Sequence, residues 1–258
     1  MPANAPVTYL VLFACCILYG ISLLLTIHYG FSISPQGGGL FGLLFGLGPV
    51  AGPVLDRLGA SLPLPWNLDQ PWRLITACFL HGSLLHIVFN MWVLVDLAPT
   101  VEELYGSSRF LFLYVTCGIG GYLLSSASPF ITPLRVLGIA SSGTAIGASG
   151  AIVGLIGVLL AITYRRSGAA MQQLRSQVIR WIVYLVIWGF MARGMIDNMA
   201  HLGGGLTGFM LGKLMLDREP LSPSERKRAY ALGWVTAFVV LLSFGFMVFG
   251  TRFHLLAR

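Results

Sequence analysis

Charge is what this sequence has least of. Only 10% of its 258 residues are Asp, Glu, Lys or Arg, against about 25% in an ordinary soluble domain, so too few exist to cover a surface facing water. Cysteine is also sparse. Cys15, Cys16, Cys78 and Cys117 all lie in apolar stretches, without the spacing of a zinc site or a secreted disulfide framework, and read as small core residues. The H-E-x-x-H pattern of a metal-dependent hydrolase is missing. So are whole-chain repeats, low-complexity tracts and interdomain linkers. The N-terminus lacks the basic region and cleavage site of a secretory signal, so its apolar run is expected to stay as a first helix. The near absence of Arg there speaks against an organelle transit peptide.

What is present is apolar: 56% of residues are hydrophobic and the mean hydropathy is +0.82. Crossing a hydrocarbon core of about 30 Å takes roughly 20 apolar residues, so the chain has room for about seven spans and no large soluble domain. In a membrane the formal charge of +7 orients spans and meets lipid headgroups, and nucleic acid is not the expected partner.

Spans are expected over residues 8–29, 74–97, 109–126, 146–164, 178–196, 199–216 and 230–250. Between the first two, Gly37, Gly38, Gly39, Gly42, Gly46, Gly48, Pro49, Gly52, Pro53, Pro63 and Pro65 suit an irregular segment against the membrane face, partly buried in protein. A rival reading makes residues 38–55 an eighth span. Short cytoplasmic loops are enriched in Lys and Arg. Seven spans place ten basic residues on one side, including Arg165, Arg166, Arg175, Arg180, Arg226, Lys227 and Arg228, and six on the other. The first side is then cytoplasmic, with the N-terminus inside and the C-terminus outside.

Polar residues inside a membrane are costly enough to count as functional candidates. Ser149 opens the fourth span between Gly147 and Gly150, and Gly150, Gly154 and Gly157 form one smooth helix face. In the sixth span Gly204, Gly208 and Gly212 form a matching face after His201. Two such faces let helices pack almost backbone to backbone, and Ser149 then meets His201. The second span presents His81, His86 and Asn90 in its outer half, so three helices carry polar groups at one depth. A Ser beside a His is a nucleophile beside a general base. His86, Asn90 and the Ser149 N–H could donate to the oxyanion formed on attack. Asp197, near the loop, is not assigned to a triad, and a Ser/His dyad is the simpler assignment.

Four segments together resemble the rhomboid family of intramembrane serine proteases: GASG around Ser149, AHLGGGLTG around His201, HGSLLHIVFN with His81, His86 and Asn90, and the pair Trp72-Arg73. The resemblance covers residues 72 to about 212. It implies an all-α polytopic membrane protein with a six-helix core, residues 1–220, and a membrane-embedded first loop over about 31–72. Residues 221–258 would add a basic loop, a seventh helix and a short tail. It further implies Ser149 as nucleophile, His201 as base, and His86 and Asn90 as oxyanion donors. Gly147, Gly150, His81, Gly204 and Gly208 would support the site, with no cofactor and no metal. The substrates implied are transmembrane proteins in a lipid bilayer; oligomeric state is left open. The expected location is a cell or inner membrane, with the site opening to the extracytoplasmic side. Two positions depart from the family pattern. Ala77 stands where some members have a histidine, and Val153 where many place an aromatic ring against the catalytic histidine.

Other candidates have plainer readings. His81 divides between a hydrogen bond supporting the first loop and a direct site role. Glu102, Glu103 and Arg109 suit a solvated or loop-bracing cluster, Arg193 and Asp197 a helix-end ion pair, and Trp66, Trp72 and Trp92 interface or packing positions. Asp96 and Asp197 fall toward opposite membrane faces, which disfavours an aspartyl pair. A small transporter should show paired halves, which are not found, and a non-catalytic rhomboid-like binder has no need of both Ser149 and His201.

Overall fold

The computed structural model describes residues 5–34, 46–138, 140–141, 144–191, 196–215, 217–218 and 220–255. Seven long helices dominate: α1 (Pro6–His28), α2 (Leu84–Tyr105), α3 (Ser107–Ala127), α4 (Ser149–Arg165), α5 (Ala169–Met191), α6 (Asn198–Leu214) and α7 (Pro223–Leu255). Five of them, α1, α2, α3, α5 and α7, are long and apolar enough to cross a membrane. The other two, α4 and α6, have 17 residues each, about 25 Å at 1.5 Å per residue. Among the described residues β-type pairing is limited to isolated bridges, such as that from Ser61 to Ala145.

The helices are inverted relative to those of a soluble protein. On α1 the buried stripe is Thr8, Val11, Cys15, Tyr19, Ser22 and Thr26, while Leu10, Phe13, Ile17 and Leu24 face outward, each at least 60% exposed. Small and polar residues face protein and large apolar ones face lipid, as expected where water drives no burial between helices. Cys16 belongs to the outer face, unlike the buried Cys15, Cys78 and Cys117. Glu102 is buried and braces α1. Its carboxylate accepts the N–H groups of Val7 (3.0 Å) and Thr8 (2.8 Å) and the hydroxyls of Thr8 and Ser107. A carboxylate on the first turn satisfies orphan amides and meets the positive end of the helix dipole.

At the centre lies α4, most of whose residues are buried. It runs parallel to α6 in close backbone contact. A Cβ on Gly204 or Gly208 would overlap the carbonyl of Gly150 or Gly154, and one on Gly212 would lie 2.8 Å from that of Val158. The third member of this group, α3, packs antiparallel to them. A Cβ on Gly203 would come within 2.6 Å of the Gly120 carbonyl, and one on Gly121 within 2.7 Å of the Ala200 carbonyl. At the far end of α4, Arg165 donates to the carbonyls of Gly212, Lys213 and Met215, each at 3.2 Å, closing the C-terminus of α6. Only Val178, Trp181 and Gly189 of α5 are buried. It is tied to α2 by Asp96, which accepts from Trp181 Nε1 at 2.8 Å and Gln177 Nε2 at 2.9 Å, and by the edge-on pair Trp92–Trp181.

The second helix differs from the expected 74–97. Residues Arg73–Phe79 form a short helix ending in a 3₁₀ turn, the chain breaks at Leu80–Ser83, and α2 starts at Leu84 with the Ser83 hydroxyl accepting the His86 N–H. Apolar content hid this break, and Ser83 is an N-cap residue that marks it. The fifth and seventh helices likewise begin before their apolar cores, because amphipathic first turns carry Gln and Arg out of the lipid. Of the first loop, residues 35–45 lie outside the described residues. In the rest, including 46–55 of the rival eighth span, the longest helix is Gly52–Arg57. Several polar side chains in and beside the described loop residues bond within the protein. Arg73 donates to the carbonyls of Asp56 and Ala60 at 2.9 Å, to the Asp56 carboxylate and to Gln70. Thr76 donates to the Gly59 carbonyl, and Asn67 to Ser61 and Ser126. Irregular backbone at membrane depth requires this internal accounting.

Overpacking a tight contact typically costs about 1–3 kcal/mol. Gly208→Val should destabilise the detergent-purified protein by that order, read as a lower thermal unfolding midpoint. Gly245→Val on α7, where a Cβ would meet nothing within 4 Å, should leave the midpoint nearly unchanged.

Candidate active site

The segment before α4 is fixed from three directions. Ala145 exchanges two backbone hydrogen bonds with Ser61 of the first loop, each 2.9 Å. The Gly147 N–H donates to the Ala77 carbonyl at 2.9 Å, and the Tyr122 hydroxyl from α3 donates to the Gly147 carbonyl at 2.7 Å. Gly147 is required twice over. Its φ of +122° is one that L side chains rarely adopt, and a Cβ there would lie 2.7 Å from His86 Nε2 and 2.9 Å from Cε1. That same point is 3.7 Å from Ser149 Oγ, so the imidazole of His86 and the hydroxyl of Ser149 flank one glycine. Ser149 is the first residue of α4 and partly exposed. The amides of an opening helical turn have no intrahelical acceptor and remain available as donors.

His86 is oriented by its own turn. Its Nδ1 accepts the Gly82 N–H at 3.4 Å, which leaves the proton of the neutral ring on Nε2, the atom facing Gly147. Asn90, one turn on and 7% exposed, donates one amide hydrogen to the His86 carbonyl at 2.9 Å. His81 is fully buried, and neither of its ring nitrogens meets a hydrogen-bond partner among the described residues. Its ring instead packs edge-on to His86 at 5.0 Å.

His201 arrives through the α4–α6 contact. A Cβ on Gly150 would lie 3.4 Å from the carbonyl oxygen of Ala200 and 3.7 Å from its Cβ. Ser149 precedes Gly150 and His201 follows Ala200, so the two candidate residues occupy neighbouring rungs. Asp197 caps α6: its carboxylate accepts the Ala200 N–H at 3.0 Å and the hydroxyls of Ser125 and Ser141. Its oxygens are thus engaged in holding the helix start against α3. Arg193, the other half of the expected ion pair, lies outside the described residues. Val153 sits one turn below the site, 3.4 Å from where a Cβ on Gly205 would stand.

Sequence reasoning missed Tyr122 and the carbonyl of Ala77. That carbonyl takes both the Gly147 amide and, at 3.3 Å, the Tyr122 hydroxyl. A signal for Tyr122 existed, since a buried tyrosine hydroxyl in an apolar helix needs a partner. The backbone acceptor at Ala77 left none, because its role does not depend on its side chain.

The family model described as the Rhomboid domain matches residues 68–218. This chain belongs to the rhomboid family. It is an integral multi-pass membrane protein, and the matched region holds α2 to α6 with all five polar site candidates. Similar relatives include RHOMBOID-like protein 5 of Arabidopsis thaliana, 37% identical over 180 residues (67% of this chain, 52% of that one). Rhomboid-like protease 1 of Toxoplasma gondii is 34% identical over 167 residues (64% and 54%). Rhomboid protease GluP of Bacillus subtilis (strain 168) is 31% identical over 180 residues (69% and 32%). The chain spans about half the length of the first two and a third of GluP.

Leaving a buried polar group without its partner costs about 1–3 kcal/mol. Tyr122→Phe, which strips a hydrogen bond from the Gly147 carbonyl, should lower the unfolding midpoint accordingly. Gly147→Ala should be worse, combining backbone strain with a clash on His86. A Gly147→Ala protein as stable as the parent would contradict this construction of the turn.

Proposed function

We propose that this rhomboid is an intramembrane serine endopeptidase that cleaves peptide bonds in or near the transmembrane segments of membrane proteins. The observation that carries the reading is the rung alignment of Ser149 and His201 on two helices in backbone contact, with His86 Nε2 across Gly147. In this mechanism His201 takes the Ser149 proton as Oγ attacks the scissile carbonyl carbon. His86 Nε2–H, the Asn90 amide and the Ser149 N–H stabilise the resulting oxyanion. The intermediate collapses with cleavage of the C–N bond as His201 returns the proton to the leaving amine, and water then hydrolyses the acyl-serine by the reverse proton path. Gly147, Gly150, Gly204 and Gly208 hold this arrangement, and His81 backs His86. Substrate helices must unwind locally, because a helical carbonyl is already hydrogen-bonded.

Residues 1–220 form the protease core in this reading. Residues 221–258 add α7, which packs on the core through Gly233 against Ser108 and Phe244 against Phe79. The excess of basic residues in the loops after α4 and α6 supports a cytoplasmic N-terminus and a site open to the extracytoplasmic side of a cell or inner membrane.

A fluorophosphonate probe should label the wild type in detergent but neither Ser149→Ala nor His201→Ala. Full labelling of a folded Ser149→Ala protein would sink the assignment. His86→Ala or Asn90→Ala should slow cleavage of a model transmembrane substrate by about 10²–10³-fold, the usual effect of losing one oxyanion donor. EDTA should change nothing.

Orientation has its own test. Single cysteines in the 127–140 loop and in the 217–228 loop, in a background without native Cys, should react with an impermeant maleimide in intact cells only at the first position. Labelling of the second loop instead would invert the topology.

A further inference from the structure

Opposite the Ser149 end of α4 lies a cavity of about 240 Å³, lined by Tyr164, Arg165, Arg166, Ser167, Gln172 and Arg175 among others. A water molecule takes up about 30 Å³, so the space admits a group several waters in size. Its polar wall is of one sign. The sequence has no Asp or Glu between Glu103 and Asp197. Among the described residues, the carboxylate that reaches this wall is Asp217, paired with both Arg165 and Arg166. One carboxylate against three guanidiniums leaves two positive charges.

Arg175 is held in place rather than free in solvent. It donates to the Thr163 carbonyl and lies over the Tyr164 ring, 4.5 Å from its centroid. Its Nε is buried and meets no hydrogen-bond partner. With one N–H on the Thr163 carbonyl and its plane on the ring, the guanidinium is fixed at the cavity wall. The first turn of α5, which contains no acidic residue, opens at the same place and adds unpaired amides to a positive dipole end.

The level in the fold identifies the anion. The cavity sits where α4 ends and α5 begins, beside Tyr164, which is 64% exposed. An aromatic ring and arginines at the end of a spanning helix mark headgroup level. We propose that this cavity binds the phosphate of an anionic phospholipid headgroup, with Arg166 and Arg175 supplying charge and hydrogen-bond donors. The site is separate from Ser149 and does not depend on its chemistry.

Native mass spectrometry of the purified full chain, titrated with short-chain phosphatidylglycerol, phosphatidylcholine or inorganic phosphate, tests this. Two net positive charges at headgroup level should favour phosphatidylglycerol over phosphatidylcholine by about tenfold or more. Arg166→Gln/Arg175→Gln should erase that preference. So should Ser167→Trp, which fills the cavity while keeping every guanidinium and therefore decides the matter if the double variant fails to fold. Arg180→Gln, outside the cavity lining, should retain it. A preference that survives in Ser167→Trp, or is missing from the wild type, overturns the proposal. Displacement of the lipid by millimolar inorganic phosphate would make this a free-anion site and overturn the lipid assignment.

Discussion

The fold depends on the absence of side chains between α4 and α6. Two helices bearing ordinary residues pack about 8–10 Å apart, whereas here the backbone of one helix lies against the backbone of the other at Gly150, Gly154, Gly204 and Gly208. Association inside a bilayer gains little from excluding water, so it relies on close van der Waals contact over such smooth faces. The same contact fixes register. Because α4 and α6 run parallel, a slip by one turn would carry Ser149 about 5.4 Å from the level of His201. The glycines therefore set the position of two polar side chains as well as stability.

A second constraint is that no backbone amide or carbonyl can be abandoned at membrane depth. The first loop meets it through Arg73, Thr76 and Asn67, whose bonds run to neighbouring loop backbone and to α3. The loop in turn grips the segment entering α4 through the Ser61–Ala145 bridge. An irregular segment that looks dispensable by composition is thus part of what aims Ser149. Glu102 plays a comparable part at the other side of the bundle, where one buried carboxylate seats α1 and closes the turn between α2 and α3.

Much of this was legible in the sequence for a definite reason. Bilayer thickness sets helix length, so apolar runs gave seven helices to within several residues at most ends, and glycine spacing at four-residue intervals exposed the α4–α6 seam. The misses share a cause as well. Hydropathy does not register a helix that breaks within apolar sequence, as at Leu80–Ser83, nor an amphipathic turn that carries α5 back to Ala169. The polar clusters were named without their partners. Glu102 could be placed near a loop, but its role at the start of α1 needed the third dimension. Asp197 was left unassigned, and its work as the cap of α6 and a link to Ser125 was not visible in the sequence.

The shortness of α4 follows from its position. A helix facing lipid must cover the full hydrocarbon thickness, but one enclosed by α2, α3, α5 and α6 has protein on its flanks and can begin lower, provided its opening turn is satisfied by protein or water. With 17 residues it is shorter than α2, α3 and α5, and Gly147, His86 and Ser149 converge at its first turn. In the proposed function, that first turn is where a peptide carbonyl and water would meet the Ser149 hydroxyl. The shortness of α4 is tolerable because the surrounding helices take up the contact with lipid.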